Sequence, residues 1–396
     1  MTNSMIKRKT ISVVFCLTLI QGVCFSEGTE NQKKFIKGNI ADKTAIVTNA
    51  TEAEAPEFSR NAIQFSINYR PILGVDRELS ALALSGVLTL PASYINSIED
   101  EERHEISDNF YSLYTLFSDE TLKIAILNRL VSLKLPGEKF LALLNQQLQD
   151  KRIVSRFPAL TKTTISTLGV IGNSDSFAIL FSCIDTKDYS AFNDELKEAA
   201  SALMEDSLSQ LVASIQRENF QQCKKIFDLC AKNEKKSNNF RAEIAENVLS
   251  RTIILVGNSD SEIEKIFPLQ LEAFMVLAEQ KRTKASKTAM IFFNDAKKFY
   301  KEGKISSSDF ARIIEGLPQV APLHCALSLG EYLQEINAKM GKAEKLPDES
   351  VILSIINSLG AIGDKMAFDS LLSVTYYNYS EAVLKAARDA LAGLKW

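Results

Sequence analysis

Two histidines among 396 residues leave little imidazole chemistry to place. His104 stands in Glu101-Glu102-Arg103-His104-Glu105, with no second histidine four residues on. The helix motif of zinc proteases is therefore absent, and a solvated charged face is expected. His324 precedes Cys325, residue types that suit a thiol nucleophile and its base. Neighbours on a helix point about 100° apart, however, so this pair reads as part of a packed helix. The Gly-Asn-Ser-Asp segments at 172–175 and 257–260 lack the Gly-Lys-Ser/Thr of a phosphate loop, and the chain has no G-x-S-x-G nucleophile elbow. The acidic run Glu99 to Glu102 lacks the spacing and glycine of a calcium loop. It reads as a helix start, where carboxylates suit the positive end of the dipole. These patterns supply no catalytic, cofactor-binding or metal-ligating residue.

Two features read instead as partner surfaces. Lys281, Arg282, Lys284, Lys287, Lys297, Lys298, Lys301 and Lys304 stand against Asp295 and Glu302, a local charge of +6. A one-sign patch concentrates anionic partners, an effect that salt weakens. The same segment places Ala289, Phe293, Ala296 and Tyr300 on one helical stripe, so it is first an amphipathic helix with solvated lysines. Reversing Lys297, Lys298 and Lys301 to Glu is expected to weaken binding while leaving the thermal midpoint nearly unchanged. The second feature is Tyr376, Tyr377 and Tyr379 before the last helix. Aromatic clusters anchor partners, and they also finish the open end of a helical stack, which is the expectation here.

The elements that would carry these residues are helices. Pro158 to Leu203 holds LGVIG (168–172) and LKEAASAL (196–203), and the C-terminus holds LGAIG (359–363) and LKAARDAL (384–391). The offsets are 191 and 188 residues, so the two segments repeat with a three-residue difference. Phe177, Leu180, Phe181 and Ile184 share one helical face, as do Leu196, Ala199, Ala200 and Leu203, and Ile352, Ile355, Ile356 and Leu359. Gly172 is expected as a left-handed helix end, with Ser174 or Asp175 capping the next helix. Gly169 and Gly360 lie inside helices, where each costs about 1 kcal/mol against alanine, which implies a closely approaching neighbour. Val383, Ala387, Ala390 and Leu394 form a helical stripe before Trp396, so the final aromatic does not close a membrane-barrel strand.

This order, an apolar helix ending in LGxIG, a turn with Asp, a second helix and then an alanine-rich helix, resembles the HEAT-repeat family over 158–203 and 350–394. The Val-Arg pair frequent in that family is Leu384-Lys385 here and Leu196-Lys197 in the first copy. The resemblance implies an all-α, armadillo-like α/α superhelix (solenoid) of stacked antiparallel helix pairs that binds protein, and it carries no catalytic residues. At roughly 40–47 residues per unit, 58–396 accommodates seven or eight helical pairs.

Lys7, Arg8 and Lys9 precede the apolar stretch from Thr10 to Val23, and Ser26 follows, a secretory signal pattern. The expected organisation is a signal peptide over 1–26, a flexible polar tether over 27–57 and a HEAT-like solenoid over 58–396. A lipoprotein site at Cys24 or an uncleaved anchor is the alternative. Without 1–26 the chain has 43 basic against 49 acidic residues, a formal charge of −6, which argues against nucleic-acid partners. Cys183, Cys223, Cys230 and Cys325 remain and read as small buried apolar residues, too few for a disulfide framework. The leading expectation is an exported, periplasmic, non-catalytic scaffold that binds another envelope protein along a concave face. It is expected to be a monomer with no cofactor and no transmembrane helix in the mature chain. The alternatives are an envelope tether to anionic polymer or lipid headgroups through the basic face, and a HEAT-like lyase-type enzyme. N-terminal sequencing of exported protein should return Glu27 as the first residue; a diacylated Cys24 would contradict this.

Overall fold

The computed structural model describes residues 30–257 and 262–395. The expected signal segment, most of the second Gly-Asn-Ser-Asp turn and Trp396 lie outside the described residues. Those described fold as helices joined by short turns. No β-sheet occurs among them, only an isolated parallel bridge between Asp364 and Lys395. The chain divides into two compact units, one ending at Gly137 and the other beginning at Glu138. That division falls at Leu135-Pro136-Gly137, inside the stretch expected as one continuous superhelix.

The first unit contains α1 (Glu30–Lys37), α2 (Ile40–Thr48), α3 (Ala55–Leu73), α4 (Arg77–Thr89), α5 (Ala92–Ile95), α6 (Asp100–Leu116) and α7 (Glu120–Ser132). The expected flexible tether over 27–57 is thus helical from Glu30. Its few apolar side chains find partners, since Phe35 and Val47 pack against Phe58, Ala62 and Leu82. Asn39 and Asp42 form a reciprocal capping box at the start of α2. The Lys43 ammonium folds back over the end of α1 and donates to the carbonyls of Phe35 and Gly38. In this unit α2, α4 and α7 pack in succession, and α3 packs on both α4 and α6.

The second unit begins with α8 (Glu138–Gln149), α9 (Lys151–Arg156), α10 (Pro158–Ile171), α11 (Ser174–Cys183), α12 (Asn193–Leu203), α13 (Leu208–Arg217) and α14 (Phe220–Ile226). A π-helical turn, Phe227–Ala231, extends α14. Then follow α15 (Asn238–Gly257), α16 (Ile263–Glu279), α17 (Ser286–Lys301), α18 (Ser307–Val320), α19 (Cys325–Gly341), α20 (Glu349–Ile362), α21 (Phe368–Val374) and α22 (Glu381–Ala392). Here α16, α18, α20 and α22 pack one on the next as a layer. The helices α17, α19 and α21 pair with them from the other side. This is an α/α solenoid of helix pairs, each burying its apolar face against its neighbours.

Its repeat length is written in the hydrogen bonds. Tyr189 Oη donates to Leu148 O at 2.5 Å across 41 residues, and Lys225 Nζ to Ile184 O at 2.8 Å across 41. Arg282 Nη1 donates to Asn239 Oδ1 at 2.7 Å across 43 residues, and Tyr379 Oη to Asn337 Oδ1 at 2.9 Å across 42. These four fall within the interval the sequence implied; others in the unit fall on either side of it, as Asn337 to Ser370 across 33 residues and Asp348 to Tyr300 across 48.

Gly172 does not take the expected left-handed conformation; its φ of −65° and ψ of 168° are extended. Close packing explains the glycine instead, because a Cβ there would run into Leu168 O and lie 2.8 Å from Leu203 Cδ1. The cap of α11 is Asn173, whose side chain accepts from the Asp175 and Ser176 amides, rather than Ser174 or Asp175. The left-handed residue occurs in the second copy, at Gly363 with φ 68°.

The helical glycines mark helix crossings. A Cβ on Gly169 would stand 2.9 Å from both Cα and Cβ of Ala199; on Gly360 it would stand 2.9 Å from Cβ and 3.1 Å from Cα of Ala390. Both glycine–alanine pairs repeat at 191 residues, whereas LKEAASAL and LKAARDAL align at 188. The crossing therefore falls about one turn further along α22 than the aligned motif places it. An exposed helical Gly→Ala change stabilises a helix by about 1 kcal/mol. Gly360→Ala should do the reverse and destabilise by roughly 1–3 kcal/mol through overpacking. Ala390→Gly in the same chain should restore part of the loss, measured as the midpoint of urea unfolding. A rise in midpoint on Gly360→Ala alone would contradict the crossing.

Candidate functional site

The basic segment occupies the loop before α17, the helix itself and the turn after it. Its charges do not stand together as a free one-sign face. Arg282 is nearly buried and donates to Glu243 and, at 3.1 Å, to Glu246, both on α15. Lys297 and Lys301 converge on Glu335 of α19 at 3.6 and 3.0 Å, and both ammonium groups lie over the Tyr332 ring. Lys298 and Lys304 flank Glu302 at 3.9 and 2.8 Å. Lys281, Lys284 and Lys287 remain exposed, with no ion pair among the described residues. Burial of the Glu335 carboxyl works against its charge, but Lys301 and Lys297 outweigh it and hold the group below its ordinary range. Three acids from the neighbouring repeats, Glu243, Glu246 and Glu335, thus offset half of the local +6 of the sequence.

The tyrosines separate in the same way. Tyr379 is buried, and its hydroxyl donates to Asn337 Oδ1 while the Asn337 amide donates to Ser370 O at 3.0 Å. Burial pushes the Tyr379 phenol up to about 12. Tyr377 stacks edge-on against Tyr379 and closes over Gly341. Tyr376 alone is openly exposed. The trio is mainly the closing seam between α19 and the last repeat.

The other residues weighed for chemistry are accounted for locally. His104 Nδ1 lies 2.7 Å from Asp100 O. His324 Nδ1 lies 3.2 Å from Ser286 Oγ, while the Cys325 thiol is directed at Pro322 O, so imidazole and thiol do not face each other. Burial pushes the Cys325 thiol up to about 11 and that of Cys230 to about 12. All four cysteines are buried and free. No set of three or more His, Cys, Asp or Glu side chains among the described residues is placed to hold a metal, and no described helix is long and apolar enough to cross a membrane.

Two surfaces emerge that the sequence did not single out. The first is a polar cleft of about 610 Å³ in the second unit, lined by Asp185, Lys197, Gln222, Lys225 and Asp228 among others. Asp185 adopts φ 61° in the turn after α11, held by Asn193, which donates to its carboxylate at 2.8 Å and accepts from its amide. Lys225 donates to Phe181 O at 3.0 Å and to Ile184 O, tying off the carbonyl end of α11. Burial pushes the Lys225 ammonium down and Asp185 opposes this. Lys197 pairs with Asp185 at 3.4 Å. The charged groups of the cleft are thus paired, Asp185 with Lys197 and Asp228 with Lys224, while Lys225 serves as a helix clamp.

The second is an apolar ledge in the first unit. Tyr69, Ile72 and Leu73 on the last turns of α3, Val75 in the following turn and Leu116 at the end of α6 are all exposed, Ile72 at 74% and Val75 at 84%. Arg70 locks the two helix ends together by donating from Nε to Leu116 O at 3.1 Å, with its guanidinium over the Phe117 ring. A cleft of about 440 Å³, lined partly by Arg70, Val75, Leu84 and Phe117, adjoins it. The available sequence signal was Pro71-Ile72-Leu73-Gly74-Val75, an apolar run where a polar turn is the norm.

No family model matches the chain, and no curated protein matches it. A solved structure described as the crystal structure of an engineered protein, from the Northeast Structural Genomics Consortium, is similar over 90% of this chain and 98% of its own, at 14% identity and a TM-score of 0.33. A score that low carries no argument about fold or function.

The ion pairs of α17 change what charge reversal should do. Replacing Lys297, Lys298 and Lys301 by Glu sets new carboxylates against Glu335 and strips the cations from Tyr332. The thermal midpoint should fall by several degrees, contrary to the expectation from sequence, as exposed pairs worth up to about 1 kcal/mol each become repulsive. Lys298→Gln alone should leave it unchanged in a calorimetric scan. Equal midpoints for the triple variant and the parent would contradict the pairing.

Proposed function

We propose that this chain is an exported, periplasmic, HEAT-like scaffold whose task is to hold another envelope protein without catalysing a reaction. The repeat motifs LGVIG and LGAIG with their following alanine-rich helices support the HEAT assignment, and the Lys7-Arg8-Lys9 and Thr10 to Val23 pattern supports export. The observation that carries the binding reading is the apolar ledge at the ends of α3 and α6. Contiguous exposed apolar surface bordered by polar groups marks an interaction site, and burying one such aliphatic side chain contributes about 1.5–3 kcal/mol. The Arg70 contact to Leu116 O fixes the ledge in place, which lowers the ordering cost of docking. The partner fitting this surface presents apolar side chains beside a carboxylate able to reach Arg70 or Arg77.

The test is cross-linked capture from envelope fractions with the parent chain and with Ile72→Glu/Val75→Glu. A partner that is retained by the parent and lost at least about tenfold from the double variant, with unchanged circular dichroism, is the expected result. A partner captured equally by both moves the binding surface elsewhere, and turnover of an envelope polymer by purified protein would contradict the non-catalytic reading.

A further inference from the structure

Three turns of the second unit fall at one repeat spacing. They join α16 to α17, α18 to α19 and α20 to α21, and Arg282, His324 and Met366 stand 42 residues apart in succession. Each turn leads from the layer of α16, α18 and α20 into the opposite layer, so the three belong to one edge of the stack. Adjacent turns are joined: Ser286 Oγ lies 3.2 Å from His324 Nδ1, and the short 3₁₀ turn Lys365–Ala367 packs on α19.

This edge is apolar at its tips and basic around them. Leu323 is 89% exposed, Met366 59% and Leu327 51%. Lys281, Lys284, Lys287 and Lys365 are exposed and form no ion pair among the described residues, unlike Arg282 and the later lysines of α17. Across 280–287, 321–327 and 363–367 the carboxylate present is Asp364, and it is turned to its own backbone, accepting from the Met366 amide at 2.9 Å. The nearest exposed carboxylates along the chain are Glu279 at the end of α16, Glu331 one turn past Leu327 in α19 and Asp369 in α21, each set back in a helix from the turn it adjoins.

We infer that this turn edge docks on a bilayer surface of anionic phospholipids, with Leu323 and Met366 entering the headgroup boundary and the lysines meeting the phosphates. Two features select a lipid surface over an acidic protein. The apolar groups project from turns along an edge instead of lining a groove, so they suit insertion into a deformable apolar layer. The cations surround them on flexible stems, the arrangement in which lysine keeps its charge at the phosphate level while its methylenes lie along apolar surface. The inference is independent of the ledge on the first unit.

The experiment is co-sedimentation of the full chain with phosphatidylcholine vesicles, with and without phosphatidylglycerol. Binding should require the anionic lipid, weaken with salt, and fall roughly fivefold for each of Lys281, Lys284 and Lys287 changed to Gln. Leu323→Ser/Met366→Ser should separately lower it by roughly tenfold or more. All of these positions are exposed, on turns or, for Lys287, on the first turn of α17, so circular dichroism should match the parent for both sets. Equal binding to both vesicle types, or binding unaffected by the serine pair, would overturn the inference; the second result would leave a purely electrostatic surface suited to an acidic protein.

Discussion

The constraint on which the second unit depends is the close approach of alternate helices within one layer. At Gly169 against Ala199 and at Gly360 against Ala390 there is no room for even one additional methyl group. Gly316 repeats the theme with aromatic carbon, its would-be Cβ lying 2.8 Å from Phe274 Cε1. Where backbones come this near, dispersion contacts form along the whole crossing and the flanking leucines and isoleucines interlock. The helix then tolerates glycine because packing, not propensity, holds it. Each pair buries its face only against the next, so stability is built from neighbour contacts.

The second consequence of that stacking is electrostatic. A residue one repeat away in sequence is a contact neighbour in space. Glu335 takes two lysines of α17, and Glu243 with Glu246 takes Arg282. Polar side chains clamp helix ends by the same geometry, as Lys225 does for α11 and Arg129 for the carbonyls of Val87 and Leu90. What remains unpaired after this mutual satisfaction is therefore informative. Among the described residues it includes the ledge of the first unit and the lysines around Leu323 and Met366, where no ion pair or cap uses the exposed group.

The architecture was legible from sequence because its signals are local. Helical stripes such as Leu196, Ala199, Ala200 and Leu203 are buried as spaced, and the internal glycines mark close neighbours as their cost implied. The four cysteines are buried and free. The helices of the expected tether were not legible, because Phe35 and Val47 acquire their value only from Phe58 and Leu82 further along the chain. Capping by Asn173 instead of Ser174 or Asp175 turned on a single-residue choice of helix start that motif spacing does not fix. The basic segment misled for a definite reason: counting charge over 281–304 omits acids supplied from about 40 residues to either side. The ledge was missed because it interrupts no motif; only the absence of polarity at 71–75 hints at it.

Hydrogen exchange after overpacking a single crossing tests the neighbour-only account most directly. In Ala390→Leu, amides of Glu349–Ile362 and Glu381–Ala392 should exchange faster, while Pro158–Ile171 and Asn193–Leu203, which hold the equivalent crossing, should keep their protection. A uniform loss of protection across the second unit would contradict the account, because it would mean that the helix pairs unfold as one indivisible core.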